Sequence, residues 1–125
     1  MTEVYVQELR ADDLVVRGGV NTLDPDELYV QCLDAHDRYG VYGFSVFVGP
    51  DLDELGACVY NKKLSVARVG DLSDIYCSFF QTGDPPHHTL VVSDDLPSVE
   101  RLTEVAAVFK VAVDNPNPKE RRWRP

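Results

Sequence analysis

The residues best suited to chemistry in this chain lie together at Arg17-Gly18-Gly19. They follow the apolar run 14–16, which predicts a short buried strand. An arginine at a strand exit, beside two residues without a β-carbon, suits an anion that must approach backbone amides closely. A diphosphate or a nucleic-acid phosphate fits that description. The alternative interpretation is a glycine turn that ends the strand, with the arginine in solvent.

A second segment, Tyr42 to Val48, could place further side chains beside that arginine. Its aromatic and β-branched residues are typical of a strand. Strict alternation puts Tyr42 and Phe44 on one face, and Ser45 and Phe47 on the other. The serine could order a ligand, and the aromatic rings could stack on a flat heterocycle. Equally, the serine could be a small polar residue on a sheet face, and the rings could belong to the core.

The third segment with chemical potential is Pro85-Pro86-His87-His88, which leads into a predicted strand over residues 88–92. Histidine suits proton transfer or phosphate contact near neutral pH, so His88 is a candidate acid/base residue. A histidine at a strand start can also be simply solvated or hydrogen-bonded. Adjacent histidines on a strand point to opposite faces and chelate poorly together. We therefore predict no metal site.

The elements that must position these residues read as a small α+β (mixed α/β) domain. Asp24-Pro25 predicts the start of a helix that ends at Gly40, because proline favours the first helical position and glycine follows helix ends. Further helices are predicted after Asp51 and over residues 97–109, and a further strand over 64–69. We expect a central sheet of about four to five strands with two to three helices. One globular domain should span residues 1–113, followed by a Pro/Asn-rich and basic tail over 114–125.

The charge of the chain is strongly negative and unevenly distributed. The net charge is −9. Residues 119–125 hold four of the 12 basic and one of the 21 acidic residues, which leaves 8 basic and 20 acidic residues before them. A body this acidic repels nucleic acid, so nucleic-acid binding is expected only through the basic tail, Lys119 to Arg124.

Cysteine usage and the N-terminus indicate the compartment. Three widely spaced cysteines argue against a disulfide framework and for a reducing environment. No signal-peptide pattern opens the chain, and no apolar run is long enough to span a bilayer. We therefore expect a cytoplasmic protein without a membrane partner.

The order of these motifs resembles the small bacterial ADP-ribosyltransferase-like folds, including the RES-domain toxins. The resemblance covers roughly residues 14–70. It implies NAD as the substrate, with Arg17, Gly18 and Gly19 at its diphosphate or ribose and Ser45 at the nicotinamide ribose. Tyr42, Phe44 or Phe47 would then stack on the nicotinamide ring. The segments Arg-Gly-Gly, Tyr-Gly-x-Ser-Val-Phe and a late Asn-Pro also resemble a group of short uncharacterised actinobacterial proteins.

One family feature is missing here. Catalytic members usually carry a glutamate on a late strand, and residues 87–93 contain no acidic residue. Related RNA 2′-phosphotransferases use arginine and histidine instead, which would give His88 a role in catalysis. The family context implies a toxin of a toxin–antitoxin pair, with a cognate antitoxin or a target as its protein partner.

A second function, from a different class, follows from the charge. An acidic domain can bind basic surfaces without any catalysis, because its charge steers association. The chain would then be an antitoxin-like protein, an inhibitor or a nucleic-acid mimic.

Overall fold

The computed structural model describes residues 7–19, 23–83, 85–109 and 111–120. Six strands and four helices lie in these ranges. In chain order they are β1 (Leu14–Gly18), α1 (Pro25–Tyr39), β2 (Tyr42–Gly49), α2 (Leu52–Gly56), β3 (Lys63–Arg68), α3 (Val69–Ser73), β4 (Ser78–Gln81), β5 (His87–Ser93), α4 (Val99–Val108) and β6 (Val111–Asp114).

The strands form one sheet in the order β4-β5-β2-β1-β3-β6, and every neighbouring pair is antiparallel. The predicted α+β class is confirmed. The sheet has more strands, and the domain more helices, than the sequence predicted. The strand that the sequence did not predict, β6, is short, so its apolar pattern is weak.

Helix α1 shows why the local sequence signals were readable. Asp24 is its N-cap residue and proline occupies the first turn, although the Asp24 side chain makes no capping hydrogen bond. The buried face carries Leu28, Cys32 and Ala35 at helical spacing. Gly40 ends the helix with a φ of 76°, a left-handed conformation that glycine adopts without steric cost.

The two faces of the sheet are covered differently. One face packs against α1, α3 and α4 and forms the main core, around Val15, Phe44 and Leu90. The other face is covered by α2 over β1 and β3, through a smaller cluster that includes Val16 and Leu64. The part of this second face that belongs to β2, β4 and β5 carries the exposed residues Ser45, Ser78 and Phe80.

The packed chain continues past the domain boundary expected at Val113. The side chain of Asn115 is buried and donates to the carbonyl oxygens of Gly56 and Asn61, at 3.0 and 2.9 Å. The amide of Lys119 donates to the carbonyl of Val59 at 2.8 Å. These hydrogen bonds fasten residues 115–119 to α2 and the loop after it. Residues 121–125 of the predicted basic tail lie outside the described residues.

Candidate functional site

Strands β1 and β2 separate immediately before the predicted anion-binding arginine. Their pairing ends at Val16 opposite Phe47, whereas β1 stays paired with β3 as far as Gly18. Where β1 has left, the side chain of Arg17 takes over its role: Nη1 donates to the backbone carbonyl of Ser45 at 2.7 Å. The arginine thus satisfies a carbonyl on the edge of β2 that no longer faces β1.

The rest of the Arg17 guanidinium is held from the helix side. Nη2 donates to Oε1 of Gln31 on α1 at 3.2 Å, and the guanidinium carbon lies 4.8 Å from the ring centroid of Phe44. Burial lowers the pKa of Arg17 to about 10, and the neighbouring Glu27 opposes that shift. The group is still cationic at neutral pH, and its described partners belong to the fold.

The two glycines after the arginine also have structural roles. Gly19 has a φ of 87°, in the region that favours glycine. Its amide donates to the carbonyl of Lys63, and its own carbonyl accepts from the Ser65 hydroxyl, both at 2.7 Å. At Gly18 the space of a β-carbon is occupied by the end of the Asn61 side chain, 2.1 Å from the ideal Cβ position. These contacts account for both glycines without a bound anion.

A small cavity lies beside Arg17, with a volume of about 90 Å³. Its walls include Gln31, Phe44 and Ser45, three residues that Arg17 contacts, although Arg17 itself is not part of the wall. The structure therefore brings Arg17, Phe44 and Ser45 together, as the predicted site requires. The cavity is well below the roughly 300 to 1,000 Å³ typical of ligand pockets.

The other two aromatic residues predicted to stack on a nicotinamide ring have aromatic partners of their own. Tyr42 is stacked on His36, with ring centroids 4.2 Å apart and planes 6° from parallel. Phe47 meets His87 edge-on at 5.4 Å. Neither Tyr42 nor Phe47 lines the cavity beside Arg17.

The predicted acid/base residue His88 is buried in β5, with 2% of its surface exposed. Its Nδ1 lies 3.0 Å from the carbonyl oxygen of Pro86, and its ring meets Phe79 edge-on. Burial lowers the pKa of His88, and the hydrogen bond to the Pro86 carbonyl offsets only part of that effect. The imidazole is therefore neutral at pH 7. It does not line the cavity beside Arg17.

A larger cleft, of about 400 Å³, lies at the other end of β2. Its walls include Glu8, Pro50, Glu54 and Pro86. None of the residues predicted from the sequence to form a site lines it. A cleft of this size could hold a small ligand, but its position is not the one that the NAD hypothesis requires.

Three exposed apolar side chains escaped the sequence reasoning. Val30 and Leu33 lie on the solvent side of α1 and are 63% and 41% exposed. Their helical spacing from Asp26 and Asp37 was a signal that could have been read. Tyr76, which is 91% exposed, lies in the turn between α3 and β4. The sequence around it carries no comparable signal.

Two of the cysteines, Cys32 and Cys77, are buried. Burial raises the pKa of both Cys32 and Cys77 to about 11, so both thiols are protonated at neutral pH. The described residues contain no group of three or more His, Cys, Asp or Glu side chains placed to hold a metal ion. Among the helices in the described ranges, none has the length and apolar character to cross a bilayer.

Comparison of the chain with protein-family models, with curated proteins and with solved structures finds no match.

Proposed function

We propose that this protein is a non-catalytic interaction domain that binds a basic surface of a partner protein. The observation that carries the proposal is the state of the carboxylates. Of the 19 aspartate and glutamate residues in the described ranges, 18 are exposed. Three of these form ion pairs within the described residues: Asp34 with Arg38, Asp114 with Lys63, and Glu104 with Arg101. The other exposed carboxylates present their charge to solvent or to a partner.

Helix α1 offers the best-defined part of this surface. Asp26, Val30, Leu33 and Asp37 follow one another at spacings of four, three and four, so they share one face of the helix. We call these four residues the α1 stripe. Its centre is aliphatic and exposed, and a carboxylate lies at each end. Such a face is complementary to an apolar patch flanked by lysine or arginine.

The acidic surface also determines what the partner cannot be. Phosphates of a nucleic acid would meet a net charge of −9 and be repelled. A basic protein would instead be attracted over a distance of about 10 Å at moderate salt. Association should therefore be fast and strongly dependent on ionic strength.

The NAD-directed activity stays a prediction. Arg17 contacts both Ser45 and Phe44, which line one small cavity, and this arrangement favours it. The small volume of that cavity and the buried position of His88 favour the interaction domain instead. The same purified protein can test both hypotheses.

The test uses a labelled amphipathic helical peptide of leucine and lysine, with one apolar face, as the probe. We expect fluorescence anisotropy to report binding at about 0.05 M NaCl and at least tenfold weaker binding at about 0.5 M, because salt screens the carboxylates. Replacing Val30 and Leu33 together by serine should weaken binding about tenfold, since two apolar contacts are lost.

A matched control makes the same kind of change, two exposed aliphatic residues to serine, at a different place on the surface. Leu96 and Val99 are 51% and 53% exposed and lie outside α1. Their joint replacement by serine should leave peptide binding unchanged. Equal losses in both double variants, or binding indifferent to salt, would contradict the proposal. Nicotinamide release from NAD that disappears in Arg17→Ala would replace it with the enzymatic function.

A further inference from the structure

Tyr76 occupies a backbone position that normally belongs to glycine. The amide of Cys77 donates to the carbonyl of Leu72 at 3.0 Å, and the amide of Tyr76 donates to the carbonyl of Ser73 at 3.0 Å. These two hydrogen bonds are those of a Schellman motif, which ends a helix through one left-handed residue. That residue is Tyr76, with a φ of 67°. In the described residues it is the one non-glycine residue with a positive φ.

The conformation has a steric cost for any residue with a β-carbon, and most for bulky side chains. Leu72 and Cys77 bury their side chains in the main core, which fixes the motif on both sides. The Tyr76 ring does not join that core, because 91% of the residue is exposed. Packing within the fold therefore explains the turn but not the choice of tyrosine.

Tyr76 is one of the residues that line a cleft of about 250 Å³. Other walls of the cleft come from Ser78, Ser93, Asp94 and Arg101. Hydroxyls and a carboxylate can accept hydrogen bonds from an incoming group. The arginine is the exception, so its own contacts determine the charge that the cleft presents.

The guanidinium of Arg101 already has partners within the fold, and one of them is a carboxylate. Its Nε donates to the carbonyl of Val92 at 2.8 Å, and Nη2 donates to the carbonyl of Ile75 at 2.6 Å. Nη1 is paired with the carboxylate of Glu104. The Asp94 carboxylate is exposed and makes no ion pair with a described residue. The cleft therefore presents an exposed aromatic ring and a free carboxylate, a combination that suits a cation.

We propose that Tyr76 and this cleft form a docking site for an extended basic segment of a partner protein, with an arginine or lysine side chain lying against the Tyr76 ring and reaching Asp94. The site deepens the proposed function and rests on it for the charge of the partner. Tyrosine is a frequent anchor of protein interfaces, because it contributes a large contact area at a low entropic cost. A second copy of this chain is a poor occupant, since two chains of charge −9 repel each other.

The test compares Tyr76→Gly with the wild-type protein in two measurements. Glycine relieves the left-handed backbone, so the melting temperature should rise by about 4 °C. Binding of a labelled peptide of alternating arginine and serine, followed by anisotropy, should weaken at least fivefold, because the ring is lost. Greater stability together with weaker binding distinguishes a docking residue from a structural one.

Two controls isolate the site. Phe80→Ala removes another partly exposed ring without changing the charge, and it should leave binding of the arginine peptide unchanged. Tyr76→Phe keeps the ring and should bind within about twofold of wild type. Unchanged peptide binding in Tyr76→Gly would overturn the inference. If, in that same case, the serine variant of Val30 and Leu33 lost its binding of the helical peptide, the proposed function would still stand.

Wild-type protein that fails to bind the arginine peptide would also overturn the inference. The helical peptide then tests the proposed function separately. The sedimentation coefficient of the wild-type protein could rise with concentration, and this rise could be lost in Tyr76→Gly. That result would make a second copy of the chain the occupant and would reject the basic segment.

Discussion

The start of β2 and the turn after α3 differ in where their side chains lie, one in the fold and the other in solvent. At the start of β2, a β-carbon on Gly43 would lie 2.1 Å from the carbonyl oxygen of Leu90, so no side chain fits. A charged group, Arg17, is drawn into the fold there to complete the hydrogen bonding of Ser45. At the turn, Tyr76 keeps a whole aromatic ring in solvent on a backbone that favours glycine.

The difference separates residues kept for stability from residues available for binding. Arg17, the polar residue with the strongest functional appearance, has contacts within the fold for both Nη1 and Nη2, although its buried Nε has no hydrogen-bond partner among the described residues. Tyr76, the exposed residue with no apparent function in the sequence, has no such structural explanation. A side chain that costs stability and gains no burial is a better indication of a binding role than an arginine with fold partners.

The largest effect expected from this comparison is that of Gly43→Ala. The added methyl group would meet the backbone of Leu90, which cannot rotate away, so the strands must shift. We expect a loss of about 3 kcal/mol in the free energy of unfolding, measured by urea denaturation. The same addition at Gly18 meets only the end of the Asn61 side chain.

The Gly18→Ala variant is therefore the matched control. Asn61 is exposed and can rotate, so we expect a loss below about 1 kcal/mol. Similar losses at both glycines would show that the tight approach of β2 to β5 is not special.

The next largest effect is expected for Arg17→Ala. The change leaves the Ser45 carbonyl without its donor and removes the cation from the Phe44 ring. A loss of about 2 kcal/mol should follow, since the hydrogen bond to this carbonyl and the cation–π contact each contribute about 1 kcal/mol. Urea denaturation of Arg68→Ala provides the control. Arg68 also donates to a backbone carbonyl, that of Asp12, but is exposed, so about 0.5 kcal/mol or less is expected. Equal losses would contradict a special role for the buried guanidinium.

Much of the fold was predictable because its signals are local. Proline at the first turn and glycine after the last turn mark α1, and alternation marks β2. Strand β6 was not predicted, because four residues close to a Pro/Asn-rich segment carry little pattern. Its existence depends on pairing with β3, a contact between distant parts of the chain. Such pairing cannot be read from a single segment.

The site was less predictable than the fold, for a similar reason. The sequence identifies Arg17 as an arginine at a strand exit, which is where it lies. Its acceptor is a carbonyl 28 residues away, exposed because β1 and β2 diverge there. The backbone conformation of Tyr76 likewise depends on where α3 ends, and no glycine marks that end. Both roles follow from geometry that residue types alone do not specify.

The smallest effect concerns His88, the buried neighbour of these strands. Its pKa is lowered in the folded protein by burial, whereas the unfolded chain titrates near 6.5. Between these two values the unfolded state holds the proton more tightly, so acidification favours unfolding. The stability from the neutral imidazole is therefore fully present above pH 6.5 and decreases as the pH falls below it.

Urea midpoints between about pH 7.5 and pH 5.5 should decline in the wild type and less in His88→Asn, whose amide can still donate to Pro86. An unchanged slope in His88→Asn would mean that this histidine stays as protonatable in the fold as in water, and would restore its candidacy as an acid/base residue.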